Sequence, residues 1–317
     1  MFNKPIKYGL FLLAIITGIN LIITAIFSMA WNKYASFSFY QFFFFFLAAF
    51  ISGFLISIAI IFTAPVIKDY LATYRRMLRL ESLSHPLLIK LSMEAPGTYH
   101  HSLTLANLAH KAARSVDADA LITRVGAYYH DIGKIKNPQY FIENQRKGDI
   151  NLHEELNDPK KSAEIIINHV KDGIELAKEY KLPEEVLAFI PEHHGTTKIK
   201  YFLEIAKRRG LKPEEKNYSY PGPKPLSIES VIIMLADTIE AKMRLIEKPN
   251  LEKITKIVYD SVQEKIDDNQ LELSGINQIQ LNKICISFID TLSTMNHERI
   301  KYPKKENAYG KLNFKHK

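Results

Sequence analysis

Two long stretches without a charged residue constrain this chain before anything else does. Tyr8 to Ala30 and Phe39 to Val66 contain no Asp, Glu, Lys or Arg, and the second includes the run Phe42-Phe43-Phe44-Phe45-Phe46. Roughly 20 apolar residues suffice to cross the hydrocarbon core of a bilayer. The pattern therefore predicts a transmembrane hairpin over residues 1–67, with spans at 8–30 and 39–66. The turn between them, Trp31 to Ser38, carries Trp31 and Tyr34, which suit a membrane interface. A cleaved leader, with Lys4 and Lys7 as its charged start, is excluded by the length of the first stretch and by the second that follows it. Lys68, Arg75, Arg76 and Arg79 come next. By the positive-inside rule both ends of the hairpin face the cytoplasm, and the rest of the chain with them.

The formal charge of +8 is less informative than it looks. Residues 1–65 hold three lysines and no acid, which leaves 39 bases against 34 acids for the remainder. That excess is too small to argue for a nucleic-acid polymer as partner. The single cysteine, Cys285, excludes an internal disulfide framework. Residues 68–95 read as a helical linker, its helix running from Val66 to Leu91 with Ile67, Leu71, Tyr74, Leu78, Leu80 and Leu83 on or near one face. Such a stripe suits a homodimer as well as packing on the domain. His85, before Pro86, reads as a surface or capping residue rather than a ligand. Ala95-Pro96-Gly97-Thr98 is a breaker ending in a capping threonine, and it opens a domain over 96–300 ahead of a basic tail, 301–317.

Within that domain the apolar periods are helical throughout, so the expected fold is all-α, a helical bundle. Its chemistry lies in histidines and acids placed where a core would want neither. Tyr128-Tyr129-His130-Asp131-Ile132-Gly133-Lys134 ends an apolar helix that Asp119 caps. Burying an unpaired carboxylate costs several kcal/mol, and a helix C-terminus adds a like-signed dipole. A divalent cation at Asp131 removes both penalties. Asp237 is in the same position, bracketed by Met234, Leu235, Ala236 and Ile239. His101 shares a helix face with Leu105 and Leu108, which leaves His100 outside. His169 lies among Ile165, Ile166 and Val170, and His193-His194 end a helix just before Gly195. Seven candidate ligands exceed the needs of one ion, and two ions bridged by Asp131 would use them all. Imidazole and carboxylate without thiolate suit Fe, Mn, Ni or Zn, and argue against a structural zinc site. The polar segment from Ile135 to Pro159, with His153 and Glu154, reads as a lid or binding loop. Leu211 to Pro225 reads as an exposed loop near the site.

His101, His130-Asp131 and Asp237 match the H…HD…D pattern of HD-domain phosphohydrolases. The stretches from Ala95 to Ser102, Val125 to Lys134 and Glu192 to Thr196 resemble the seven-transmembrane HD family, the PgpH-type cyclic di-AMP phosphodiesterases of bacteria, over roughly residues 65–300. The resemblance implies an all-helical fold and two divalent metal ions, commonly iron or manganese. His101, His130, Asp131 and Asp237 would hold one ion, and Asp131, His169, His193 and His194 the other. The implied reaction opens cyclic di-AMP to linear 5′-pApA, with Lys134 neutralising charge on the phosphoryl oxygens. Tyr128 or Tyr129, and residues of the 135–158 loop, would stack on a base, and Arg244 would contact phosphate or, the reading its helical position favours slightly, stand as a solvated charge. The sequence departs from that family in preceding the domain with a hairpin alone, a shortened membrane region. The absence of Gly-Tyr-Pro after His193-His194 lowers the expectation for cyclic di-GMP. Two other readings are a hydrolase of another nucleotide, such as a guanosine alarmone, and a non-catalytic membrane-tethered nucleotide sensor; a sensor has no need of seven ligands.

Overall fold

Helices make up all the regular structure among the described residues. The computed structural model describes residues 39–296 apart from 147, 149 and 248, together with 15–16, 18–20, 22–23, 25–26 and 29–30. Most of the first expected span, the turn at Trp31 to Ser38 and the basic tail lie outside the described residues. The chain forms two units, Met1–Arg76 and Met77–Lys317.

Helix α1, Phe39–Glu81, runs through Pro65 without a break. Its charge-free part exposes large apolar side chains, including Phe44, Phe62 and Val66. Ser57 Oγ donates to the Gly53 carbonyl and Thr63 Oγ1 to that of Ala59, so these hydroxyls are satisfied by their own helix. This is how polar side chains persist where water is absent. By length and composition it is a helix able to cross a membrane.

The second unit starts inside the expected linker. Met77 and Leu80 are buried, and after a break at Ser82–His85 a short helix, α2 (Pro86–Glu94), buries Leu87, Leu88 and Leu91. The part of the 68–95 stretch from Met77 onward therefore belongs to the domain core. His85 is the N-cap of α2, its Nδ1 accepting from the Leu87 N–H at 3.3 Å. Helix α3 (Pro96–Ser115) begins at Pro96, the first-turn position that tolerates a missing N–H. Thr98 is thus inside the helix rather than its cap. Next come α4 (Ala120–Tyr129), capped by the Asp119 carboxylate, and a 3₁₀ turn over Ile132–Lys136. After short 3₁₀ turns at Pro138–Tyr140 and Ile142–Asn144 follow α5 (Leu152–Leu156) and α6 (Pro159–Glu179), the latter capped by Asp158. The helix that His193-His194 end is two pieces, α7 (Glu184–Leu187) and α8 (Phe189–Glu192). The remaining helices are α9 (Lys200–Arg208), α10 (Ile228–Met243), α11 (Leu251–Asp267) and α12 (Gln278–Asn296).

Helix α10 is buried on every side from Ser230 to Ala236, the mark of a central helix. Helix α3 lies against α4, α10 and α12, with Ala106, Ala109, Ala112 and Ala113 fully buried so that neighbouring backbones approach closely. Helix α11 contacts α10 and α12, and α6 lies on the 132–136 turn. Each fully buried Leu or Ile contributes about 1.5–3 kcal/mol. The acids and histidines therefore sit on helices, or in the turns that end them, packed into this core. Cys285 is buried and unpaired.

Glu264 ties α11 to two neighbours, accepting from Lys200 Nζ at 2.6 Å and Lys242 Nζ at 2.8 Å. The Lys200 and Lys242 hydrogen bonds lower its pKa to about 2 against the opposing effect of burial. A depressed carboxylate pKa stabilises the fold above the unfolded value and loses that contribution as pH falls towards the folded one. The side chain is 35% exposed and partly screened by solvent, so Glu264→Gln should cost under about 1 kcal/mol at pH 7. Urea denaturation of variant and parent should show the difference shrinking as the pH is lowered through 4 towards 2.

Candidate metal centre

Gly133 determines how closely the His130-Asp131 turn can lie on α6. A Cβ there would stand 1.8 Å from the His169 carbonyl oxygen and 2.5 Å from the Gly173 nitrogen. With glycine the turn settles onto α6, bringing Asp131 to His169. From the other side α10 presents Asp237, α3 presents His101, and the end of α8 presents His193 and His194.

The two carboxylate oxygens of Asp131 face different neighbours. Oδ2 lies 3.2 Å from His130 Nε2 and 3.8 Å from His101 Nε2. Asp237 Oδ1 closes that side, 3.0 Å from His101 Nε2 and 3.9 Å from His130 Nε2. Oδ1 of Asp131 lies 3.3 Å from His169 Nε2 and 3.6 Å from His193 Nε2. Two groups result, each with its ligand atoms within 4.8 Å of one another: His101, His130, Asp131 and Asp237, and Asp131, His169, His193 and His194. Ligands on adjacent vertices of a shell of ~2.1 Å radius lie ~3.0–3.5 Å apart, so these spacings suit a metal ion.

The imidazoles are set for that use. The Nδ1 atoms of His130, His169 and His193 lie 2.8, 2.6 and 3.2 Å from the carbonyls of Ala127, Ile166 and Phe189. A carbonyl only accepts, so each Nδ1 carries the proton and each Nε2 presents a lone pair inward. Those three Nε2 atoms and both oxygens of Asp131 are buried without a hydrogen-bond partner. Lys134 Nζ does stand 2.7 Å from Asp131 Oδ2, an ion-pair distance without hydrogen-bond geometry. Five orphaned polar atoms converging on one spot fit cations and little else.

The protonation states agree. Burial would raise the pKa of both acids, but the Lys134 ammonium beside Asp131 and the hydrogen-bonded His101 beside Asp237 outweigh it, and both stay well below the carboxylate range. Burial lowers His169 to about 4 and holds His194 well below its usual value, so both are neutral. His101 differs. Burial opposes its charge, yet hydrogen bonds to Asp237 and Glu240 raise it to about 9. It holds a proton between two carboxylates, and an ion would replace that proton at Nε2 while Nδ1–H stays on Glu240.

Several site expectations need correction. Tyr129 is fully buried, its hydroxyl donating to the Leu80 carbonyl at 3.0 Å, and Tyr128 is enclosed in the same core. Neither ring offers a face for a base. The 211–225 loop is less exposed than expected: Tyr218 and Tyr220 are buried, and Tyr220 stacks on His194 at 4.0 Å between ring centres. Lys134 and Arg244 line a cleft of about 300 Å³ with His101, Asp237, Glu143 and Glu240. Arg244 is held there by Glu240 at 2.7 Å rather than standing free in solvent.

Glu240 and Glu143 are the residues that sequence reasoning missed. Glu240 Oε2 accepts from His101 Nδ1 at 2.6 Å. Glu143 Oε1 accepts from Lys134 Nζ at 2.8 Å and from Thr98 Oγ1 at 3.1 Å. The signal for Glu240 was its i+3 spacing from Asp237, which puts both acids on one helix face. Removing an outer carboxylate from a metal-binding histidine typically weakens metal affinity about 10–100-fold. Glu240→Gln should show a loss of that size in competition with a chelator, with helical content unchanged by circular dichroism.

With this geometry in hand, comparison with known proteins is direct. A family profile described as HD domain matches residues 98–242. The chain is 42% identical over 256 residues to a cyclic-di-AMP phosphodiesterase PgpH of Bacillus subtilis, covering 80% of this chain and 36% of the relative. It is 40% identical over 257 residues to a protein of the same name from Listeria monocytogenes, again covering 36% of it. The chain thus spans about a third of the length of these curated relatives. The crystal structure of the L. monocytogenes PgpH HD domain in complex with cyclic-di-AMP superposes with a TM-score of 0.65 at 42% identity, over 68% of this chain and 99% of that one. The chain belongs to the HD-domain family, in the branch that PgpH represents.

Proposed function

We propose that this chain is a metal-dependent phosphodiesterase that hydrolyses cyclic di-AMP to linear 5′-pApA. The observation that carries the reading is Asp131, whose two oxygens face two separate ligand groups and so can bridge two ions. His101, His130, Asp131 and Asp237 would hold one ion, and Asp131, His169, His193 and His194 the other. The thiolate-free ligand set favours iron or manganese. Two such ions supply Lewis acidity, polarising phosphoryl oxygens and lowering the pKa of a bound water towards neutrality. The names of the relatives, and the cyclic-di-AMP bound to the related HD domain, support this choice of substrate.

The chain's own residues then have distinct tasks. Lys134 is kept charged, because Asp131 and Glu143 outweigh the effect of burial and raise its pKa. Lys134 would offer hydrogens to phosphoryl oxygens, its ammonium held at the cleft by Glu143. Arg244 lines the same cleft and adds a second cation for phosphate. The low exposure of Asp131 keeps bulk water from screening these charges.

The apolar part of α1 and the bases that follow it support a membrane anchor, with both termini and the catalytic domain cytoplasmic and the lipid bilayer as a standing partner. The apolar stripe around Leu71 and Tyr74 supports a homodimer through α1.

Asp131→Ala should leave a folded domain and lower cyclic di-AMP turnover about a thousand-fold, equivalent to about 4 kcal/mol of barrier. Chelation of the parent should abolish turnover, and Mn²⁺ should restore it. A panel of cyclic di-AMP, cyclic di-GMP and a guanosine alarmone identifies the substrate. Turnover of the alarmone alone would sink the cyclic-dinucleotide reading and leave the metal site standing.

A further inference from the structure

His194 is the one histidine of the metal centre whose ring no hydrogen bond fixes. The Nδ1 atoms of His130, His169 and His193 rest on backbone carbonyls, and that of His101 on Glu240. Neither ring nitrogen of His194 has a hydrogen bond among the described residues, and the side chain is only half-buried. The torsion that turns an imidazole about its Cβ–Cγ bond has a broad minimum. Left to itself, this ring would present a nitrogen to an ion in only a fraction of its orientations.

Three rings surround it. His193 and His169 lie 3.9 and 5.0 Å away between ring centres, but both belong to the same ligand group. Tyr220 comes from outside that group and stacks on His194, 4.0 Å between centres and 18° between planes. A flat stack of this kind favours one plane for the imidazole.

The backbone carries Tyr220 to this place. Lys198 and Ser219 form an antiparallel bridge. Beside it the Tyr220 nitrogen donates to the Thr197 carbonyl at 2.9 Å, and the Ile199 nitrogen to the Tyr218 carbonyl at 2.7 Å. The chain leaving His194 is thus paired with the chain that bears Tyr220, and ring lies over ring. The turn itself is held separately. Gln270, buried, accepts from the Thr196 nitrogen and donates to Thr196 Oγ1, both at 3.0 Å. Gln270 places the backbone after His194, and the plane of the imidazole is left to Tyr220.

We propose that Tyr220 is the positioning residue of His194 and thereby sets how tightly the ion on Asp131, His169, His193 and His194 is held. The inference rests on the two-ion reading above and specifies it. The ion on His101, His130, Asp131 and Asp237 depends on imidazoles tied by hydrogen bonds, so a change at Tyr220 acts on one ion and spares the other. The flat face of the ring matters here, not its hydroxyl.

Metal uptake tests this without turnover. The full chain in detergent, stripped by chelator, is titrated with Mn²⁺ and the bound metal is counted. Electron paramagnetic resonance then separates a spin-coupled pair from a lone ion. The parent should take up two ions and show the coupled signal. Tyr220→Leu keeps apolar bulk at this buried position but offers no flat face. It should hold one ion as the parent does and the other about 10–100-fold more weakly, the loss typical when an outer partner of a metal-binding histidine is removed. Tyr220→Phe restores the face without the hydroxyl and should match the parent for both ions. His194→Ala should weaken the same ion, and adding Tyr220→Leu to it should change little, because the two act through one contact. Equal weakening of both ions in Tyr220→Leu would overturn the proposal, as would a Tyr220→Phe variant no better than Tyr220→Leu. Two ions bound alike by parent and Tyr220→Leu would overturn it and leave the two-ion reading standing. A parent that takes up a single ion would overturn that reading, and this proposal with it.

Discussion

Everything in the metal centre of this fold answers to one electrostatic demand, a carboxylate almost without contact with water. Asp131 is 1% exposed and both of its oxygens lack hydrogen bonds. An ionised carboxylate in that position is tolerable only beside compensating positive charge. The chain itself brings positive charge to this carboxylate from Lys134 at Asp131 Oδ2. Oδ1 faces His169 and His193 instead, and burial keeps His169 neutral.

The scaffold holds the ligands by backbone rather than by side-chain networks. Three imidazoles are tied through Nδ1 to carbonyls of their own or the adjoining helical turn, so that each ring is oriented by the helix that carries it. His101 is the exception, using a carboxylate on another helix, Glu240. That partner makes His101 the more basic ligand and links α3 to α10 across the site. Close backbone approach completes the arrangement. Gly133 lets the turn lie on α6, and Gly97 lets the first turn of α3 meet the Glu143 backbone, where an added Cβ would be 1.8 Å from the carbonyl oxygen.

Much of this site was legible in the sequence for a simple reason. Acids and histidines inside apolar periods break the pattern, and Asp131, Asp237, His101 and His169 each do so. The all-α class followed from the same periods. What was not legible depends on three-dimensional pairing. Glu240 stands four residues before Arg244, so it reads as half of a surface ion pair, and only the position of α3 reveals its bond to His101. Tyr128 and Tyr129 adjoin His130 in sequence, but successive helical residues point about 100° apart, which turned both rings into the core. Tyr218 and Tyr220 sit in a loop rich in proline and glycine, whose composition says exposure while their neighbours enforce burial.

The segment from Pro138 to Gln145 joins these themes. Ile142 and Glu143 line the cleft beside Asp237 and also an aromatic cavity beside His153. The segment is clasped to α3 by three hydrogen bonds, from the Thr98 nitrogen to Asn144 Oδ1, from Thr98 Oγ1 to Glu143, and from Asn144 Nδ2 back to Thr98 Oγ1. Glu143 in turn holds Lys134. One carboxylate and one threonine thus tie the segment between the two cavities to the helix that carries His101.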